Sequence, residues 1–401
     1  MSVMKVEKNV VVQATELKFF ESIHKVPVGF WDNCIPASQI FLQRKYLTAF
    51  EETHKDKVGV RYVVIMKGGQ AVAWAFIVLV RIEGSNLQLE EKKDKWVQNI
   101  GVAFKNYMRS RVNNLEPRLL ICGNPFITGQ HGFCFSSEIE PTAAFAELSN
   151  AIDHIIEEEK TKKESVTAVM VKEFEGETLK NARLLNAEGY AEVEGLPDMV
   201  LSVREEWNSF EDYLQSMTAK YRTRTKSYRK KGAKLFRKDL SLEEIVENQQ
   251  LIYKLYREVA DGAEINLLSA APQYYTELKK QFGDYFKVLG YYLGEELVGF
   301  ISYFLTDNHL EAHYVGYQYA LNRDYGLYAN ILYDLVEEAI QHGVKTLAFG
   351  RTAHEIKSTV GATPIHANSF MRHQNFMGNR ILVPIINRLR NDEWEQRHPF
   401  K

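Results

Sequence analysis

Glu311 and His313 stand two residues apart in LEAHYVGYQ, a run with strand character. Strict alternation would put Glu311, His313 and Val315 on one face and Ala312, Tyr314 and Gly316 on the other. A carboxylate beside an imidazole can relay a proton. A core histidine with its hydrogen bonds satisfied fits His313 equally well. A second group follows the buried-strand pattern VKTLAFG, in FGRTAHEIKSTVGATP. There Gly350 and Gly361 bracket Arg351, His354 and Lys357, and the last two share a face of one helical turn. Such groups can hold a phosphate or carboxylate, or steady an oxyanion. A lysine buried beside an arginine can also have a lowered pKa and exchange protons. A capped helix with exposed charges is the plainer alternative.

From Lys220 to Lys238 the chain carries ten Lys/Arg and no acid. The pattern predicts one helix over Phe210–Leu235, with Leu214, Met217, Tyr221 and Tyr228 as its apolar stripe. Arg222, Lys226 and Arg229 fall on another face, where like charges repel. A phosphate-bearing ligand, RNA or lipid headgroups would relieve that repulsion; so would plain solvent. The loop ALNRDYGLY precedes an amphipathic helix marked by Leu327, Ile331, Leu335 and Ala339. A helix N-terminus offers free N–H groups to a pyrophosphate; Arg323 would add a cation and Gly326 close approach. Neither P-loop nor dinucleotide-fold glycine spacing is present. In the first half, Gly123, Asn124, Gly129, Gln130, His131 and Gly132 make a polar glycine loop, near a ligand or on the surface. No Ser-His-Asp or Cys-His spacing suggests an enzyme nucleophile.

The elements that carry these groups occur twice. KGGQAVAWAFIVL (Lys67 to Leu79) and LGEELVGFISYFL (Leu293 to Leu305) each read strand, Gly turn, strand. Gly68 and Gly294 hold the same place, where a positive φ is needed. In each half a strand, a loop, a helix and another strand follow. The joint is expected near Val203, giving domains 1–203 and 204–401. The 401 residues are 45% hydrophobic and 25% charged, which excludes wholesale disorder. Fifty Lys+Arg against 52 Asp+Glu leave a net charge of −2, so basic function must be local. Cys34, Cys122 and Cys134 have no metal-ligand spacing and fit a reducing compartment. No run of 18 apolar residues and no signal-peptide pattern is present, so a cytoplasmic protein is expected. Val97–Val112 and Ile381–Leu389 resemble interfacial helices, which leaves peripheral contact with the inner membrane face open.

FGRTAHEIKSTVGATP resembles the terminal motif of FemAB-like and BioF2-like acyltransferases, of the Gcn5-related N-acetyltransferase (GNAT) superfamily, through Phe349, Gly350, Arg351, Lys357, Gly361, Ala362 and Pro364. The basic helix is similar to the families' other signature through Tyr213, Leu214, Tyr221, Arg222, Arg229 and Lys230. The two motifs cover about half the chain. The resemblance implies an α/β (α+β) fold of two tandem GNAT-like domains, each a central mixed β-sheet flanked by helices, with the site in the second. It implies an acyltransferase moving an acyl group from acyl-CoA to an amine acceptor, on a lipid or cell-envelope precursor, with no metal. Catalysis would fall to Glu311, His313 and Lys357. The donor would meet Tyr317, Asn322, Arg323, Tyr325, Gly326 and Leu327, and the acceptor Tyr221, Arg222, Arg351 and His354. One departure is plain: GNAT enzymes carry a glycine-rich turn where this chain has only Gly326. Aminoacyl-tRNA or acyl-carrier protein as donor therefore stays open, as does a non-catalytic binding protein.

Overall fold

The computed structural model describes residues 14–81, 117–262, 268–375, 378–379 and 394–401. The stretches Val97–Val112 and Ile381–Leu389 lie outside the described residues. The first half runs β1 (Thr15–Phe20), α1 (Val28–Trp31), α2 (Arg44–His54), β2 (Val58–Lys67), β3 (Gln70–Arg81), β4 (Arg118–Cys122), β5 (Phe133–Phe135), α3 (Pro141–Thr161), β6 (Ala168–Phe174), α4 (Gly176–Ala182), β7 (Ala191–Glu194) and β8 (Asp198–Ser202). Then come α5 (Phe210–Ser216), α6 (Ala219–Lys231), β9 (Leu235–Asp239), α7 (Leu242–Glu247), α8 (Gln249–Ala260) and α9 (Tyr274–Phe282). The chain continues as β10 (Phe286–Leu293), β11 (Glu296–Leu305), β12 (His309–Tyr317), α10 (Tyr319–Tyr325), α11 (Leu327–Gln341), β13 (Thr346–Ala348), α12 (His354–Thr359), β14 (Thr363–Ile365) and β15 (Asn368–His373).

Two mixed sheets result, one in the order β1-β2-β3-β4-β6-β15-β7 with β5 on β3, the other β9-β10-β11-β12-β13-β8-β14. In each, a hairpin turns on a glycine with positive φ (Gly68, 57°; Gly294, 64°). In each, one parallel pair is joined through a helix: β4 with β6, β12 with β13. The repeat legible in the sequence is therefore a repeat of architecture. Sheet membership nevertheless crosses position 203 in both directions. Strand β8 lies between β13 and β14 of the second sheet, and β15 lies between β6 and β7 of the first. The two crossing segments touch where the Gly195 N–H donates to the Ala367 carbonyl at 2.8 Å. Each half thus supplies the other's next-to-last strand.

Strand β3 explains why its sequence is almost wholly apolar. Trp74, Phe76, Val78 and Val80 enter one core, and Ala73, Ala75, Ile77 and Leu79 enter another on the opposite face. The first of these cores is common to both halves. It joins Tyr46, Phe50, Tyr62 and Phe76 to Tyr274, Phe286, Phe300 and Phe304. The Tyr46 and Tyr274 hydroxyls meet at 2.6 Å across it. The other face of the second sheet packs on α5, α6 and α11.

The basic segment is not one helix. It breaks at Met217–Thr218, because the C-terminal residues insert there: Met217 bridges Phe400, and the Thr218 N–H donates to the Pro399 carbonyl at 2.8 Å. The predicted stripe survives the break, since Leu214, Met217 and Tyr221 are all buried in the same core.

Candidate active site

Strand β12 positions the site. It pairs with β13 only from His309 to Glu311, then runs on to Tyr317 alone on that side. The two parallel strands therefore part after Glu311 and Ala348, and among the described residues no strand pairs with the backbone of 312–317 there. Ala312, Tyr314 and Val315 stay half-buried along this parting. Strict alternation fails within it. The register with β11 slips between Ile301 and Tyr303, so Ser302 faces both His313 and Tyr314. The Ser302 hydroxyl takes the Tyr314 N–H at 3.1 Å and lies 3.1 Å from His313 Nδ1. This bulge turns His313 and Tyr314 to one side, the side facing the first half. Tyr314 packs on that shared core, whereas Val315 and Tyr317 belong to the opposite one.

Glu311 points to the same side as His313. It is 8% exposed. Its Oε2 lies 2.9 Å from His309 Nε2, and His309 Nδ1 lies 2.7 Å from the Thr346 hydroxyl. Burial pushes the Glu311 carboxyl up to about 7; the His309 bond pulls it back and nearby Asp198 pushes it further. His313 differs. Both its ring nitrogens are bonded, to Tyr274 Oη at 3.3 Å and to Ser302. The rings of Tyr274, Phe304 and Tyr314 surround it. Burial drives its pKa down to about 3, so it is neutral at physiological pH. That is the environment of a satisfied core histidine.

The segment after β13 meets the end of β6. Arg351 Nη1 pairs with Glu173 Oε1 at 2.5 Å, and Lys172 Nζ lies 3.5 Å from the same oxygen. The Gly129 N–H donates to the other oxygen of Glu173. Burial opposes ionisation of Glu173, but Lys172 and Arg351 hold its carboxyl below the usual range. Lys172 also donates to the carbonyls of Asn124 (2.6 Å) and Ile127 (2.9 Å), tying down the glycine loop of the first half. Burial lowers Lys172 to about 8 and His131 of that loop to about 4. Glu173, Thr352 and Ala353 all have positive φ (59°, 76° and 50°) without being glycine. Such strain persists only where surrounding contacts enforce it.

Lys357 supplies one of those contacts. Its ammonium donates to the carbonyls of Gly350 (2.9 Å) and Arg351 (3.0 Å), and it is 3% exposed. Burial lowers it to about 7, against the attraction of Asp198. The unfolded chain then binds the extra proton between pH 7 and 10.5, so this group makes stability rise with pH over that window. Lys357→Met should remove that rise, measured as the parent-minus-variant difference in urea unfolding at pH 7 and pH 9.5. Two lost bonds to a charged donor should also loosen the turn and lower turnover, and Lys357→Arg should not restore it, because a planar fork cannot replace the compact ammonium. An unchanged pH dependence in Lys357→Met would contradict the buried assignment.

The remaining expected residues are spread out. Tyr317 stacks on Tyr328 (5.8 Å) on the far face of β12. Asn322, Arg323 and Tyr325 lie in α10, so the expected loop is itself helical. Asn322 Oδ1 accepts the Tyr328 N–H at 2.9 Å, filling one donor that a pyrophosphate would use. Gly326 is left-handed, and a Cβ there would strike Tyr228; Leu327 is fully buried. These residues therefore do not form a glycine-rich phosphate cradle. Tyr221 is a core residue of the far face, and Arg222 bonds Gln215 at 2.9 Å, so neither joins Glu311. His354 stacks on Trp394 at 5.1 Å. Arg229 and Arg237 are paired with Asp334 of α11 (2.5 and 3.0 Å), which relieves part of the basic segment's repulsion internally. Lys220, Arg224, Lys226, Lys230 and Lys234 make no ion pair among the described residues.

Sequence reasoning missed His309, Asp198, Lys172 and Glu173. The duplication held a signal for the last two: Lys172-Glu173 closes β6 as Gly350-Arg351 follows β13. Asp198 and His309 carry no local pattern.

Residues 219–358 match the family model described as an acetyltransferase (GNAT) domain. Over that third of its length the chain is similar to a GNAT domain. The parting of β12 and β13 lies inside the matched residues. Among solved structures the chain is similar to FemX, at 12% identity and TM-score 0.47, covering 85% of this chain and 94% of that one. It is similar to a tandem GNAT protein from the clavulanic acid biosynthesis pathway at 10% identity and TM-score 0.49, covering 90% and 99%. It is also similar to L-PGS from Bacillus licheniformis at 11% identity and TM-score 0.42, covering 80% and 87%. No curated protein matches the chain significantly. Among the described residues no helix is long and apolar enough to cross a membrane.

Proposed function

We propose that this GNAT domain is an N-acyltransferase that moves an acyl group from a CoA thioester to a primary amine, at the parting of β12 and β13. The observation that carries the proposal is Glu311, a buried carboxyl held near pH 7 beside that parting. A base of that pKa can take a proton from an ammonium acceptor at neutral pH. The freed amine adds to the acyl carbonyl, the oxyanion is met by backbone N–H groups of 312–317, the C–S bond breaks as the carbonyl re-forms, and the leaving thiolate takes the second proton of the added nitrogen to depart as the thiol. Arg351, bonded to Glu173, and Lys357, bonded to the Gly350 carbonyl, fix the turn that follows β13.

Aminoacyl-tRNA as donor is the second reading. It is favoured by α10, which occupies the place of a phosphate turn, and by the unpaired lysines of α6. A panel of CoA thioesters of several chain lengths separates the two. A ligand at 100 times its dissociation constant adds about 2.7 kcal/mol to stability. The proposal expects such a rise with at least one thioester, and thiol release when a primary amine is added. No rise with any thioester, and one with aminoacyl-tRNA, would replace it by the second reading.

A further inference from the structure

Among the described residues, His309 is the polar group hydrogen-bonded to Glu311, and it reaches the surface. Its Nε2 faces Glu311 Oε2 at 2.9 Å, its Nδ1 faces the Thr346 hydroxyl at 2.7 Å, and its side chain is 35% exposed against 11% for Glu311. Thr346 stands directly opposite His309 in the parallel pairing of β12 and β13. The ring is thus fixed by one contact from each strand. The short Oε2–Nε2 separation demands a proton between the two atoms, since a carboxylate facing a bare nitrogen lone pair would repel. Two charge arrangements meet that demand: a carboxylate with a ring N–H, or a carboxylic acid with a ring nitrogen. The hydrogen bond survives passage of the proton from one atom to the other.

We propose that Thr346, His309 and Glu311 form a proton outlet, in which His309 is the positioning and relay residue for Glu311. The inference rests on the acyl-transfer reading for the source of the proton. In balance, the acceptor R–NH3+ gives one proton to the Glu311 carboxylate. The carboxylic acid passes it from Oε2 to His309 Nε2, restoring the carboxylate and leaving an imidazolium. Thr346 Oγ1 accepts from Nδ1–H of that imidazolium and holds its plane. The ring then releases one proton to water at its exposed edge, so one proton enters and one leaves per turnover. Four neighbours bias the exchange. Asp198, at the start of β8, acts electrostatically on the Glu311 carboxyl; His131, in the loop after β4, feels the charge of His309, and Lys172 and Glu173 at the end of β6 act on His131 in turn. A carboxylate at Asp198 favours keeping the proton on the pair.

The test needs no substrate. In the full chain labelled with 15N at histidine and 13C at the glutamate carboxyl, His309 is assigned by its loss in His309→Gln, and Glu311 by its loss in Glu311→Gln. The outlet requires that the His309 nitrogens and the Glu311 carboxyl of the parent show the same two titration midpoints, because a coupled pair titrates as a unit. It also requires that Glu311→Gln collapse the His309 curve to one step. Should Glu311→Gln not fold, the shared midpoints in the parent alone decide. Independent single-step curves for the two groups, or a His309 curve untouched by Glu311→Gln, would overturn the outlet. Either result stands apart from the acyl-transfer reading, which is judged by thioester consumption. Where turnover is found, His309→Gln should lower it at least tenfold in dilute buffer, with part of the loss regained in concentrated imidazole. Equal rates for parent and His309→Gln would also overturn it.

Discussion

Cut after Val203, the chain is expected to give two pieces that do not fold separately but recover a cooperative transition when expressed together. Residues 1–203 lack β15, which sits between β6 and β7 and brings Phe370 (0% exposed) and Met371 (5%) into the first half's own core or beside it. Loss of a buried phenylalanine alone costs about 3–5 kcal/mol, against a total stability of roughly 5–15 kcal/mol. The same piece carries β8 with no sheet to join. Residues 204–401 lose β8, and with it Met199 (0%) and Leu201 (1%) between β13 and β14. Circular dichroism melts of each piece and of the co-expressed pair read the outcome. A sharp melt of either piece alone, near the temperature of the whole chain, would show that the exchanged strands are dispensable.

Glu311→Gln is expected to abolish most of the turnover while making the protein more stable in alkali. The amide keeps the shape and can still bond His309, but cannot take a proton; loss of a general base costs about 10²–10⁴ in rate. Stability moves the other way for a stated reason. The folded carboxyl titrates near 7 and the unfolded one near 4.5. Between these values the folded state holds the extra proton, so the parent loses stability as pH rises through the window. The loss reaches about 3 kcal/mol above pH 7, at about 1.4 kcal/mol per pH unit. Gln has no such loss. Urea unfolding at pH 5 and pH 8 should show the variant gaining on the parent only at the higher pH. Matching curves at both would mean that Glu311 is an ordinary solvated acid.

What the sequence made legible was what local chain geometry decides. The two hairpins announced themselves because Gly68 and Gly294 must adopt positive φ. The two β-α-β units were visible because β13 is short and apolar, and α11 keeps a helical period. Features set by distant partners were not visible. The break at Met217 depends on Phe400 arriving from the far end of the chain. The bulge that swings Tyr314 beside His313 depends on the Ser302 hydroxyl of the neighbouring strand. The crossing of β8 and β15 leaves only the short Gly195-Leu196-Pro197 turn as a local sign, yet it brings Asp198 towards Glu311. The charged residues of the site come from both halves of the chain, so their convergence could not be read from spacing. Arg351 and Lys357 stood out in their motif, but their contacts with Glu173 and with the Gly350 and Arg351 carbonyls needed the folded chain.

The account stands most directly on where the acyl group sits. A crystal structure of the whole chain with a CoA thioether, its acyl carbon made unreactive, would show it. The account predicts that this carbon lies in the parting between 312–317 and Phe349–Arg351, on the Glu311 side, with room for an amine nitrogen between them at about 3–3.5 Å from the reacting carbon. A thioether bound elsewhere, on the first sheet or along the outer face of α6, with Glu311 still sealed against His309 and out of reach, would contradict it.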